Sequence, residues 1–351
     1  MKGFKVLHVW DIANVGYLLC RELRRCGIQA SLLVPRLAEP HKTSLSDMVG
    51  GDFIIRTEAS GTFGLIKDLG KHGEFDLYHA HYSLSPVVAC ALLGRRFIAH
   101  CHGTDIRQSG KSIKWRYLVR YALRKAERVL VSTPDLLDDA KYFVSDAIYL
   151  PNPIDTGFFK ASPSDIDLHD GYDYVLFHPS ILDWKTKGTD LVVSAYEKLR
   201  KQFKVRLVLV DSGPNRVQTH ELVGKLKIRN DILFLPEIRY VEMPNYYNAS
   251  DIILSQFGLG HFSLVTLEAL ACERAVVVDR RFPEYYASAP VLSARSEADI
   301  VEQVKNLIED KVLRAEIGKK GREWVVQNHE LGKVTDRLIR IYEDSTALGN
   351  K

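Results

Sequence analysis

Short apolar runs alternate with amphipathic stretches along most of the chain. Residues 6–10 read as a strand, 17–26 as a helix and 30–35 as a second strand, with further strands at 76–80, 97–100, 129–132 and 147–150. Apolar strands separated by helical segments indicate a parallel sheet covered on both faces. The rhythm lapses over 151–173, where Pro151, Pro153, Gly157, Pro163 and Gly171 punctuate a polar run. A second series then starts at 174–177 and continues with a helix at 190–203 and strands at 205–210, 232–235, 252–255 and 275–278. Segments 300–308, 312–327 and 331–344 carry apolar residues at helical spacing and read as scaffold.

The pattern predicts an α/β chain with two Rossmann-like domains. The expected boundaries are 1–158 for the first domain, 159–172 for a linker, 173–328 for the second domain and 329–351 for a C-terminal helix returning to the first. Ligands of open parallel sheets bind beyond the carboxyl ends of the strands, so the cleft between the two halves is the expected site. A length of 351 residues agrees with two cores.

Composition narrows the function classes. With 46% hydrophobic and 26% charged residues the chain can bury sizeable cores, and no apolar run reaches membrane-span length. The first strand follows the N-terminus without a signal-peptide pattern, which points to the cytoplasm. Five cysteines, an odd number with no Cys-x-x-Cys spacing, indicate neither a disulfide framework nor a zinc site. A net charge of +4 is too mild for nucleic acid as a bulk partner.

Candidate chemistry is concentrated in Gly260-His261-Phe262-Ser263-Leu264-Val265-Thr266-Leu267-Glu268, a glycine-bearing loop entering an apolar helix. Backbone N–H groups at a helix start, here around Ser263, Leu264 and Val265, favour a phosphate. Glu268, one turn further in, can reach a ribose hydroxyl attached to that phosphate. Lys187, before Gly188 and a helix start, places an ammonium at the carboxyl end of the second domain's first strand, where a diphosphate leaving group needs positive charge. His102 follows strand 97–100; Gly103 allows close approach of a ligand to the backbone, and Asp105 is positioned to orient the ring. His79, His81 and His100 are its neighbours in sequence and compete for the role.

Four segments resemble one family: His102-Gly103-Thr104-Asp105, Leu150-Pro151-Asn152-Pro153-Ile154-Asp155, Trp184-Lys185-Thr186-Lys187-Gly188-Thr189-Asp190, and the helix ending in Leu267-Glu268-Ala269-Leu270-Ala271. Together, in this order, they are similar to the GT-B-fold glycosyltransferases of the family-4 type. The resemblance implies two Rossmann-like domains facing each other across a cleft and transfer of a sugar from a nucleotide donor, with a UDP-sugar expected. It also implies retention of anomeric configuration by front-face attack, with neither metal nor separate cofactor. His102, Lys187 and Glu268 take the catalytic roles by this likeness. Gly16, Asp105, Lys185, Gly213, Ile238, Gly260, His261, Ser263, Leu264 and Val265 take the donor-binding ones, Gly16 and Gly213 as loop glycines and Ile238 through the backbone near the base.

Two departures stand against full activity. The family carries a second Glu eight positions before the one matching Glu268, on the donor sugar, and this chain has Gly260 there. His261 and Ser263 replace the family glycines that follow and offer substitute hydrogen bonds. An arginine that joins the lysine is replaced by Ser180-Ile181-Leu182, leaving Lys185 to supply charge. The leading expectation is a retaining glycosyltransferase; a catalytically silent nucleotide-sugar binder or partner subunit is the alternative. An epimerase or phosphorylase on the same fold has no supporting motif.

For the acceptor, the stretch from Arg107 to Lys125 holds Lys111, Lys114, Arg116, Arg120 and Arg124 with Trp115, Tyr117 and Tyr121, and no acidic residue. Read as one amphipathic helix, it suits an anionic membrane surface and a lipid-linked acceptor, with the protein peripheral at the inner membrane face. Read otherwise, it is a basic solvated face over aromatic core residues. A glycan acceptor fits equally.

Overall fold

The computed structural model describes residues 3–36, 44–59, 61–73, 75–109 and 113–348. The chain forms two compact units, one of residues 1–153 with 331–351 and the other of residues 154–330. Each holds one parallel sheet. The first is ordered β3-β2-β1-β4-β5-β6-β7 and the second β10-β9-β8-β11-β12-β13.

In the first unit the strands are β1 (Lys5–Val9), β2 (Gln29–Pro35), β3 (Ile54–Thr57), β4 (Leu77–His81), β5 (Phe97–Cys101), β6 (Arg128–Val131) and β7 (Ile148–Tyr149). In the second they are β8 (Tyr174–His178), β9 (Val205–Val210), β10 (Ile232–Leu235), β11 (Ile252–Leu254), β12 (Ala275–Val278) and β13 (Leu292–Ser293). Chain order reverses between β1 and β4 and again between β8 and β11. These are the topological switch points where open α/β sheets hold ligands.

Apart from Ala275 on β12 and the half-buried Arg206 on β9, the strands β9, β11 and β12 are made of Val, Leu and Ile buried on both faces, as parallel sheets require. β4 is equally buried but reads Leu-Tyr-His-Ala-His, so its polar groups must find partners inside. β1 stops at Val9 because Trp10 turns to φ 72°. Residues 159–172 belong to the second unit, with Phe159 and Leu168 in its core. The helix Leu331–Leu348 belongs to the first unit and packs beside Val15–Arg25.

Local chemistry explains several helix ends. Ser296 and Asp299 form a reciprocal capping box at the start of Glu297–Glu309. Asp310 caps Lys311–Asn328 by accepting the Leu313 N–H at 2.8 Å. That helix lies so close to Leu264–Ala271 and the turn after it that a Cβ on Gly318 would fall 2.2 Å from the Glu273 carbonyl oxygen. The second unit's core thereby holds the helix carrying Glu268 in place.

Candidate active site

Beyond β8 the chain turns at Asp183, whose carboxylate accepts the N–H groups of Lys185 and Thr186 at 2.9 and 3.0 Å and the Thr186 hydroxyl at 2.7 Å. This cap starts the single helical turn Trp184–Lys187, and Gly188 at φ 65° ends it. Lys187, last in the turn and half-buried, donates from Nζ to Gln256 Oε1 at 3.0 Å. Gln256 is fully buried just past β11 and donates from Nε2 to the His261 carbonyl at 2.5 Å. The lysine is therefore tied across the β8/β11 switch point to the loop that opens the helix Leu264–Ala271.

The two loops touch at Gly258. A Cβ there would lie 2.3 Å from the Lys185 carbonyl oxygen, so only glycine fits without moving backbone. Sequence reasoning missed Gln256 and Gly258; the one signal was an uncharged polar residue directly after an apolar strand. Lys185 is exposed on the same turn. Gly213, at φ 129°, packs its backbone on Leu182, where a Cβ would meet N and O at 2.7 and 2.8 Å. Ile238 lies in the core beyond β10.

Ser263 is extended at the start of Leu264–Ala271 and shares a hydroxyl cluster with Ser255 and Thr266, at 3.4 Å from each. The N–H groups of Leu264 and Val265 lie in the first turn, where no intrahelical acceptor is available. Glu268 is only 6% exposed and accepts the Tyr247 hydroxyl at 2.8 Å. Burial pushes its carboxyl up to about 7, although the Tyr247 hydrogen bond opposes the shift. His261 is buried beside them. Gly260 has φ 76°, and a Cβ on it would fall 2.5 Å from Cγ and Cδ of Arg281, whose guanidinium pairs with the buried Asp279. Arg281 thus fills the space that a side chain at 260 would need.

In the first unit, the Asp105 carboxylate accepts backbone N–H groups of Ser83 and Gly103, both at 2.8 Å, and of His102 at 3.2 Å. It pins the loop after β5. The half-buried His102 ring meets another imidazole, with Nε2 at 2.9 Å from His81 Nδ1, and burial holds it neutral with a pKa of about 4 against the pull of Asp105. Gly16 lies in the first turn of Val15–Arg25 and donates its N–H to Asp11 Oδ1 at 2.9 Å.

Asp11, which sequence reasoning missed, lines a cavity of about 300 Å³ with Trp10, Asn14, Ser46, Asp47 and Arg56. Burial raises its carboxyl to about 6 despite hydrogen bonds from the Tyr17 and Gly16 amides. Trp10, Ala13 and Asn14 all have positive φ in this loop, a concentration of backbone strain typical of functional turns. Arg56 pairs with Asp47 at 2.6 Å across the cavity wall. The loop after β1, the end of β2, the short helix Leu45–Met48 and β3 build this cavity together, so no contiguous motif announces it.

Within the basic stretch the structure describes the helices Thr104–Ser109 and Ile113–Lys125, and residues 110–112 lie outside the described residues. Arg107 on the first is paired with Asp135 and, at 3.9 Å, with Asp139. Lys111 lies outside the described residues, as does the Lys114 side chain. On the second helix the core is made by Val119, Ala122 and Leu123, whereas Trp115, Tyr117 and Tyr121 are 49%, 65% and 46% exposed. The aromatics are surface residues, with Arg116 and Lys125 stacked over Tyr117 and Tyr121. Among the described residues no helix is long and apolar enough to cross a membrane.

Comparison with known proteins adds two family matches. Residues 161–324 match the family described as glycosyl transferases group 1, and residues 12–158 match glycosyltransferase family 4. The chain is 25% identical over 296 residues to N-acetyl-alpha-D-glucosaminyl L-malate synthase of Bacillus anthracis, covering 79% of this chain and 77% of that one. Among solved structures, sucrose-phosphate synthase from Thermosynechococcus elongatus superposes with a TM-score of 0.78 at 16% identity, over 98% of this chain and 100% of that one. Anabaena HepE, solved with UDP and glucose, gives 0.76 at 19% identity over 97% and 100%.

Proposed function

Since this chain belongs to the family-4-type GT-B glycosyltransferases, we propose that it moves a sugar from a nucleotide diphosphate, UDP foremost, to an acceptor hydroxyl with retention and without a metal. The observation that carries this reading is the Lys187–Gln256–His261 tie, which holds an ammonium at the switch point beside the start of Leu264–Ala271. Lys187 and the amides of Leu264 and Val265 stabilise the departing diphosphate. Glu268 accepts from the ribose, Ile238 offers backbone to the base, and His102 contacts the donor sugar or phosphate. Front-face attack lets the leaving phosphate take the acceptor proton, so no side-chain base is required. The solved complex of the neighbour HepE with UDP and glucose supports the choice of nucleotide.

The cavity at Asp11 is the acceptor side in this reading, with the Asp11 carboxylate accepting from a hydroxyl and Arg56, held by Asp47 and the Ser46 carbonyl, as part of its wall. The exposed Trp115, Tyr117 and Tyr121 among basic residues support a lipid-linked acceptor at an anionic surface. Vesicle pelleting tests this: binding no stronger with anionic than with neutral lipid refutes it. Arg281 in the space beside Gly260 favours one competing reading, a silent nucleotide-sugar binder. Nucleotide release from UDP-, GDP- and ADP-sugars separates the two, since only the enzyme turns a donor over.

A further inference from the structure

One face of the first sheet carries five imidazoles. In register, His8 on β1 lies opposite His79 on β4, and His81 on β4 lies opposite His100 on β5. His102 follows two residues after His100, and strand alternation keeps all five on the same side. Tyr342 of the helix Leu331–Leu348, fully buried, covers them.

Their polar atoms form one unbranched chain. His102 Nε2 is 2.9 Å from His81 Nδ1, and His81 Nε2 is 2.9 Å from His8 Nδ1. His8 Nε2 is 3.2 Å from the Tyr342 hydroxyl, which is 2.6 Å from His79 Nδ1. His79 Nε2 is 3.1 Å from His100 Nδ1, and His100 Nε2, fully buried, has no partner among the described residues. The nitrogens that face one another are thus engaged in pairs. The His79 and His81 rings are stacked at 5°, so in the trio His8, His79 and His81 their in-plane lone pairs run parallel and do not converge on one ion; in the second close trio, His81, His100 and His102, the facing nitrogens of His81 and His102 stand at hydrogen-bond distance, 2.9 Å.

Burial keeps these rings neutral, with His8 held at about 3 and His79, His81 and His100 well below their ordinary values. A neutral imidazole has one donor and one acceptor. Three arrangements therefore satisfy all five contacts: every ring protonated on Nδ1 with Tyr342 donating to His8; every ring protonated on Nε2 with Tyr342 donating to His79; or His102, His81 and His8 protonated on Nε2 and His79 and His100 on Nδ1, with Tyr342 accepting from His8 and His79 and its own buried O–H stranded. The second strands a buried N–H at His100, whereas the first strands no donor and leaves only an acceptor there, and buried orphan N–H groups are the rarer kind. We propose that this chain sets the tautomer of His102, with His81 as the positioning residue that makes His102 Nδ1 a hydrogen-bond donor to the ligand. The link from tautomer to turnover rests on the reading of His102 as a donor contact; the tautomer itself does not.

The test is ring ¹H–¹⁵N correlation NMR on the full-length protein at pH 7, with kinetics alongside. All five rings should show the Nδ1–H tautomer. His81→Asn, whose amide reproduces Nδ1, should keep His102 in that form and keep turnover, whereas His81→Phe should leave His102 exchanging between tautomers and lower kcat by about tenfold or more, the scale of losing a ring-orienting partner. Tyr342→Phe should separate the chain: His79 and His100 then populate both tautomers while His102 keeps its own. An unchanged His102 ring in His81→Phe, an Nε2–H tautomer in the wild type, or a stoichiometric metal ion released by His81→Phe would each overturn the proposal. If the tautomers respond as stated and no donor is turned over by any variant, the relay stands and the transferase reading fails.

Discussion

Glu268→Gln is the most informative single substitution. The folded-state carboxyl titrates near 7 against an ordinary 4.5, because burial disfavours the charge. The folded protein therefore binds this proton more tightly than the unfolded chain does. The stability it contributes is complete below pH 4.5 and is lost as pH rises through 7. At about 1.4 kcal/mol per unit, a shift from 4.5 to about 7 amounts to about 3.5 kcal/mol. Glutamine keeps an acceptor for the Tyr247 hydroxyl but does not titrate. In urea unfolding between pH 5 and 8.5, the variant should gain on the wild type as pH rises, by up to about 3.5 kcal/mol above pH 7. Nucleotide binding should move the opposite way, weakening by about 1.5–3 kcal/mol as the ribose loses a charged acceptor. Calorimetry near pH 7 in buffers of different ionisation enthalpy should show proton release on binding to wild type and none to the variant. Parallel pH–stability curves for the two proteins would refute the reasoning.

Other substitutions probe separate parts of the account. Gly258→Ala forces a Cβ onto the Lys185 carbonyl and should destabilise by about 1–3 kcal/mol in thermal melts, with loss of donor binding because the turn bearing Lys187 must move. Asp11 titrates near 6 when buried in the free protein, so kcat/KM for the acceptor should rise through pH 6 and level off above it; Asp11→Asn should remove that limb from the pH–rate profile. Gly260→Glu should abolish donor turnover by itself, since Arg281 fills the space and φ is 76°, and Gly260→Glu with Arg281→Ala should recover part of it in a nucleotide-release assay.

What the sequence revealed, and what it did not, follows from where the information lies. β10 and β12 are apolar on both faces and β9 is apolar but for Arg206, and their bounds at 205–210, 232–235 and 275–278 agree with the pattern because no other element competes for such residues. β3 and β13 escaped notice because four- and two-residue edge strands carry too little periodicity. The basic segment reads as one helix because charge dominates its pattern; the structure describes Thr104–Ser109 and Ile113–Lys125, and residues 110–112 lie outside the described residues. Lys187 and Glu268 were legible because each lies in a contiguous motif. Gln256, Gly258, Arg281 and the Asp11 cavity were not, since their roles arise from contacts between loops far apart in the chain. The burial of Glu268 under Tyr247 likewise depends on a partner 21 residues away.

The central claim is that Lys187 and Glu268 act on one nucleotide-sugar donor. The measurement is nucleotide release from a panel of UDP-, GDP- and ADP-sugars with cell extract as acceptor, comparing wild type, Lys187→Ala and Glu268→Ala. The account predicts turnover of one donor, a UDP-sugar, reduced by a factor of about 10²–10³ in Lys187→Ala and strongly in Glu268→Ala, with all three proteins folded. Turnover unaffected by either substitution, or no release from any donor despite saturable Glu268-dependent nucleotide binding, would contradict it.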